Sequence, residues 1–127
     1  MNLLIDTHVF LWWDSQPEKI PDRTLSALED PDNTIWLSLV SIWEVQIKTQ
    51  LGKLTLHQPI DMLVQQQQQN GIQLLPIKLN HILSIQPLPY HHKDPFDRLL
   101  IAQTIAENLT CVSADLVFNQ YNISILW

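Results

Sequence analysis

Four acidic side chains punctuate the apolar runs of this chain: Asp6, Glu44, Asp97 and Asp115. Asp6 closes Leu3-Leu4-Ile5, Glu44 follows Ile35-Trp36-Leu37 by a few residues, and Asp115 follows Cys111-Val112. Asp97 opens the longest helix-like segment of the C-terminal half. If those runs are neighbouring parallel strands, the carboxylates gather at one edge of a sheet. Carboxylates brought close raise one another's pKa unless a cation neutralises them. Hard divalent ions take oxygen ligands, and Mg²⁺ typically uses one or two carboxylates with waters and phosphate oxygens. Such an ion can orient and deprotonate a water, then stabilise charge on a leaving oxygen. No serine or cysteine nucleophile with a matching base stands out, so water is the expected attacker. The pattern points to metal-assisted phosphoryl chemistry.

Each acid also has a structural explanation. Ser41-Ile42-Trp43-Glu44 fits a capping box, with Glu44 bonding back to the Ser41 amide. Glu44 also stands four residues before Lys48, a favourable helix-surface pair. Asp94-Pro95 fits an N-cap followed by proline at the first helical position, which leaves Asp97 in a first turn favoured by the helix dipole. Ser113 can cap the last helix, with Asp115 complementing its dipole. Asp6 can cap a helix starting near His8, but it ends an apolar run where sheet packing should exclude water. The set is more informative than any member.

The elements that must position these groups alternate between strand and helix. Strands are expected over about Asn2–Asp6, Thr34–Leu39, Ile72–Ile77, Thr110–Val112 and Ile123–Trp127. Helices are expected over Thr7–Trp13, Asp22–Asp30, Ser41–Leu51, Ile60–Asn70, Asn80–Ser84, Pro95–Asn108 and Ala114–Asn119. Pro87 and Pro89 mark an extended loop. Gly52 and Gly71 sit where helices can stop. The segment from Pro95 is apolar on most faces, as a buried crossover helix should be. This alternation predicts a parallel sheet with helices on both faces. In such folds ligands sit outside the carboxyl ends of the strands, at the switch in strand order. Asp6 and Asp115 both come straight after strand runs, on that edge.

With these segments in view, the chain resembles the PIN-domain nucleases, and in particular the VapC-type toxins of bacterial toxin–antitoxin pairs. The matching segments are Leu4-Ile5-Asp6-Thr7-His8, Ser41-Ile42-Trp43-Glu44-Val45, Lys93-Asp94-Pro95-Phe96-Asp97-Arg98-Leu99-Leu100-Ile101-Ala102 and Ser113-Ala114-Asp115. They cover essentially the whole chain in the family's order, so the resemblance implies that residues 1–127 form one PIN-like domain. The resemblance implies a three-layer α/β/α sandwich with strand order 3-2-1-4-5. It implies a Mg²⁺- or Mn²⁺-dependent endoribonuclease, with Asp6, Glu44, Asp97 and Asp115 matching the acidic catalytic and metal-binding positions. Asp94 is a further nearby acid, ranked below Asp97. Thr7 and Ser113 match small hydroxyl positions beside the site, with helix capping as their alternative role. The resemblance also implies an RNA substrate, a cognate antitoxin and a homodimer.

Bulk properties bound these readings. The chain has 127 residues, 46% hydrophobic and 16% charged, as expected for a globular fold. Its formal net charge of −6 argues against broad electrostatic binding of nucleic acid. A polyanionic substrate would need a local basic rim, a bound metal or a partner's basic surface. Arg98, Lys48, Lys53 and Lys93 are the nearest candidates for phosphate contacts, each with the alternative of a solvated charge. The single cysteine, Cys111, excludes an intramolecular disulfide and reads as a buried thiol. No run is long enough to cross a membrane, so a cytoplasmic location is expected.

Other features fit less neatly. Trp12 and Trp13 are adjacent on one helix and cannot easily face the same way, so at least one is expected at an interface. His91-His92 beside Lys93-Asp94 raises a metal site, but adjacent residues of an extended loop point apart and no second ligand pair is evident. The Gln65–Gln69 run reads as the exposed part of a helix. A non-catalytic partner-binding module with a degenerate site is the competing class, and the complete acid set argues against it. A haloacid-dehalogenase-type phosphatase would want an acid where His8 stands. A response-regulator receiver would want an aspartate where Ile77-Lys78 ends the third strand run.

Overall fold

Leu3, Leu4 and Ile5 are wholly buried, although successive strand residues face opposite sides of a sheet. Both faces must therefore be covered. The computed structural model, which describes residues 1–127, shows how. Strands β1 (Asn2–Ile5), β2 (Thr34–Ser38), β3 (Gln73–Leu75), β4 (Thr110–Val112) and β5 (Ser124–Leu126) form one sheet in the order β3-β2-β1-β4-β5. Every neighbouring pair is parallel. Between the strands lie helices α1 (Thr7–Ser15), α2 (Asp22–Glu29), α3 (Leu39–Gln50), α4 (Ile60–Gln69), α5 (Leu79–Leu83) and α6 (Pro95–Ala106).

The two faces are covered by different helices. Leu3 and Ile5 pack with Val9 and Phe10 of α1, Leu28 of α2 and Leu63 of α4. Leu4 packs on the other side with Val40 of α3 and with Leu99 and Leu100 of α6. This is the expected three-layer α/β/α sandwich with strand order 3-2-1-4-5. Helix α6 is buried without a break from Arg98 to Thr104, as a crossover helix covered by the sheet and neighbouring segments must be. Cys111 is buried on β4. No helix is long and apolar enough to cross a membrane.

Gly52 and Gly71 do end helices. Each has a positive φ, 72° and 100°, and the two amides after each helix cap bond back onto the last turn. Asn108 does the same with φ 53°, sending the Leu109 amide to the Thr104 carbonyl. That left-handed residue stops α6 at Ala106, short of the expected Asn108. Strand β3 covers only Gln73–Leu75, because Pro76 has no N–H to continue the ladder. The last helix is a 3₁₀ segment over Leu116–Gln120, and a second 3₁₀ turn covers Pro17–Lys19, outside the expected helices. The glutamine run is largely exposed on α4, whose one buried residue is Leu63.

The order β3-β2-β1-β4-β5 places the topological switch between β1 and β4. The register pairs Ile5 with Val112, so Asp6 and Ser113 leave the sheet at the same level. Leu4 sits under this edge, fully enclosed. Leu4→Ala should lower the unfolding free energy by about 2–5 kcal/mol, read from denaturant midpoints at unchanged slope.

Candidate active site

Asp6 is built into the end of β1 and the start of α1. Its amide still pairs with the Val112 carbonyl, as a sheet residue's would. Its Oδ1 accepts the Val9 amide at 2.8 Å and caps α1, while Oδ2 accepts the Ser113 hydroxyl at 2.6 Å. Burial pushes the Asp6 carboxyl up, although both of these bonds pull the other way. Ser113 Oγ also accepts the Asp115 amide at 3.1 Å. Ser113 is therefore a link between two acids and not a helix cap. The cap of the final 3₁₀ segment is Asp115, whose Oδ1 takes the Val117 amide at 2.9 Å.

Glu44 enters from α3. The capping box expected at Ser41 does not form, because α3 begins at Leu39 with Ser38 accepting the Val40 amide at 3.1 Å. Ser41 and Glu44 lie inside the helix and are buried. Thr7 Oγ1 donates to Glu44 Oε1 at 2.6 Å and lies 3.0 Å from Ser41 Oγ. Thr7 thus ties α1 to α3 and caps nothing. Lys48 pairs with the other Glu44 oxygen, and that bond raises the Lys48 pKa. The pair expected on a helix surface is half-buried, with Glu44 enclosed.

Asp97 and Asp94 share the first turn of α6. Asp94 Oδ1 accepts the amides of Phe96 at 2.8 Å and Asp97 at 3.2 Å, so this acid is a helix cap as its sequence context suggests. Asp97 is partly buried in that turn. Burial, reinforced by the Asp94 carboxylate, pushes Asp97 up to about 7. His92 Nε2 hydrogen-bonds Asp115 Oδ2 at 2.9 Å and lies 3.0 Å from Asp97 Oδ2. One donor atom from each of His92, Asp97 and Asp115 falls within 4.8 Å of the others. Asp6 joins this trio through Ser113, and Glu44 joins Asp6's neighbourhood through Thr7. Asp6, Asp115, His8, Trp12 and Ala114 line a cavity of about 280 Å³ beside them.

His92 is the member that the sequence raises only as part of a His91-His92 metal site and then sets aside. The two histidines do point apart: His91 packs on Tyr121 and His92 on Phe118. What brings His92 to the acids is a partner far along the chain. The only local signal was its place two residues before Asp94.

Arg98 fits neither expectation, phosphate contact or solvated charge. It is buried, and its guanidinium donates to the carbonyls of Pro89, Ile85, Leu88 and His92 at 2.9–3.4 Å. Its face stacks 4.0 Å from the Tyr90 ring. Arg98 is the anchor of the loop that delivers His92. Lys53 and Lys93 are exposed. Trp12 and Trp13 both pack partly against the larger core cluster, and the tryptophan left 55% exposed is Trp43. Trp43 meets Phe96 edge-on at 5.4 Å, joining the helices that carry Glu44 and Asp97.

The PIN domain model matches residues 3–123. No protein of curated function matches the chain in sequence. Among solved structures, a chain of VapBC2 from Rickettsia felis, bound to a DNA fragment from its promoter, superposes with a TM-score of 0.75 at 18% identity, covering 100% of this chain and 99% of that one. DNA-bound VapBC from Salmonella typhimurium gives 0.68 at 14% identity, with 99% and 97% covered. FitAcB from Neisseria gonorrhoeae gives 0.62 at 17% identity, with 98% and 96% covered. At these identities the likeness is one of fold.

The buried guanidinium gives a direct expectation. Arg98→Met should cost about 2–4 kcal/mol of stability, since it leaves several loop carbonyls without their donor. Arg98→Lys should recover only part of this, because an ammonium cannot span the same fork. Chemical denaturation of the three proteins checks both.

Proposed function

We propose that this chain, which belongs to the PIN-domain family, is a Mg²⁺- or Mn²⁺-dependent endoribonuclease and the toxin of a VapC-type toxin–antitoxin pair. The observation that carries this reading is the convergence of acids from four separate segments at the switch point of a parallel sheet. Asp6 follows β1, Glu44 rises from α3, Asp97 opens α6 and Asp115 follows β4.

The donor set fits a hard divalent cation. It is made of carboxylate oxygens, and two of its acids are held above their ordinary range by burial. Acids in that state gain most from an added positive charge. Asp6, Glu44, Asp97 and Asp115 would hold the ion, with Asp94 turned into the helix as a cap. A divalent ion bound there supplies an activated water and neutralises charge on the leaving oxygen. The chain's own residues do the positioning. Ser113 keeps Asp6 and Asp115 in a fixed relation, and Thr7 holds Glu44 against α1. Lys48 offsets the charge of Glu44, so that the buried face of α3 tolerates it.

An RNA substrate, a cognate antitoxin and a homodimer belong to the same proposal. Its support is the family and the likeness to chains from VapBC assemblies. The exposed cations Lys53 and Lys93 are the free candidates for phosphate contacts, and Arg98 is withdrawn from that role.

Asp6→Asn is the informative variant. The asparagine Oδ1 can still accept the Val9 amide, and its amide can donate to Ser113, so the metal-free unfolding midpoint should not fall. Incubation with total bacterial RNA should give discrete fragments with Mg²⁺ or Mn²⁺, and none with EDTA or with Asp6→Asn. Cleavage that survives EDTA would overturn the proposal.

A further inference from the structure

One group at the proposed site is not an acid. His92 reaches it from the loop between α5 and α6, and the fold sets its orientation from several sides. Its backbone amide donates to Tyr121 Oη at 2.9 Å, and its carbonyl receives Arg98 Nη1 at 3.4 Å. Its ring lies edge-on to Phe118 at 5.7 Å.

The two ring nitrogens face different partners. Nδ1 lies 3.2 Å from the backbone nitrogen of Asp94, which always carries a hydrogen, so Nδ1 acts as the acceptor. A neutral imidazole has one acceptor and one donor nitrogen, so the hydrogen sits on Nε2. That N–H donates to Asp115 Oδ2 at 2.9 Å, and Nε2 also lies 3.0 Å from Asp97 Oδ2. A metal-bound histidine has the opposite polarity. It turns a lone pair to the ion and donates its other N–H to a carbonyl, carboxylate or water. Here the Asp94 amide blocks that arrangement, because a hydrogen on Nδ1 would point at the hydrogen of a peptide N–H.

We propose that His92 is a positioning residue that donates from Nε2 to Asp115 and sets that N–H beside Asp97, so that the two carboxylates stay together, and is not itself a ligand of the ion they bind. This rests on the reading of those two acids as metal ligands. The physical need is plain. Two carboxylates this close repel, and a donor set between them lowers that repulsion without using up all of their lone pairs. Carboxylates that ligate metals are themselves commonly oriented by such outer hydrogen bonds. The segment from Pro89 to Arg98 then acts as one device. Arg98 and Tyr121 pin the loop, and the Asp94 amide selects the tautomer. The Asp94 carboxylate starts the helix that carries Asp97.

The test needs no RNA. Mn²⁺ is titrated into the full chain by calorimetry for wild type, His92→Ala and His92→Gln, and the electron spin echo of bound Mn²⁺ is recorded. His92→Ala should weaken Mn²⁺ binding by about 10–100-fold. His92→Gln, whose amide N–H can reach the same oxygens, should recover most of it. The wild-type echo should lack the modulation of a directly coordinated imidazole nitrogen. Such modulation, lost in His92→Ala, would make His92 a ligand and overturn the proposal. Unchanged or tighter binding in His92→Ala would overturn it too, the latter by showing that His92 competes with the ion. If His92→Ala fails to fold, the wild-type echo and the His92→Gln affinity decide. Metal binding as expected without RNA cleavage would remove the nuclease reading and leave His92's role standing. A wild type that binds no Mn²⁺ would remove both.

Discussion

Negative charge has to be kept at the rim of an apolar sheet, and the architecture of the site follows from how each carboxylate is compensated. Asp6 is held by the Val9 amide and the Ser113 hydroxyl, and Glu44 by Thr7 and Lys48. Asp94 takes two helix amides, and Asp115 takes the Val117 amide and the His92 ring. Bonds of this charge-assisted kind offset much of the desolvation of a buried acid. Asp97 is the member with the least local support, a single ring nitrogen at 3.0 Å with a second acid in its own helical turn. Burial, with the Asp94 carboxylate alongside, drives its carboxyl up to about 7. The uneven compensation marks the place where an added cation would stabilise most.

Five consecutive residues show how one short segment serves several structural needs. Asp94 caps α6, and Pro95 occupies the first helical position, where no N–H is wanted. Phe96 packs against Trp43 and so joins α6 to α3. Asp97 faces the other acids, and Arg98 turns away from them into the loop that precedes the helix. A helix turns about 100° per residue, so neighbours at 97 and 98 can serve a site and its scaffold at once. The guanidinium has a stabilising role, yet it acts at the site indirectly, because the loop it pins is the one that ends in His92.

The layered fold was legible because its determinants are local. Fully apolar runs between turn signals mark strands covered on both faces, and Gly52 and Gly71 mark helix ends through their left-handed backbone. The site was legible only in its list of acids. Ser41 reads as a cap because Glu44 completes a capping box, but Ser38, which has no such partner three residues on, begins the helix. Thr7 and Ser113 read either as small hydroxyls beside the site or as caps. Their true partners, Glu44 and Asp6, lie 37 and 107 residues away, beyond any local pattern. Arg98 reads as a solvated charge because a sequence does not show four carbonyls folding around it. His92 lies 23 residues from Asp115, and only the fold brings them together.

The same contacts sharpen the problem posed by a net charge of −6. Of the four cations nearest the acidic motifs, Lys48 is committed to Glu44 and Arg98 to the loop carbonyls. The free positive charge beside the acids is therefore smaller than a residue count suggests. On the nuclease reading, a phosphate approaching this rim meets clustered carboxylates first, and Coulomb repulsion opposes its approach. A bound divalent cation reverses the local sign. The ion is then a condition for docking the scissile phosphate as well as for the chemistry, and the groups that orient its ligands act on substrate affinity and on turnover alike.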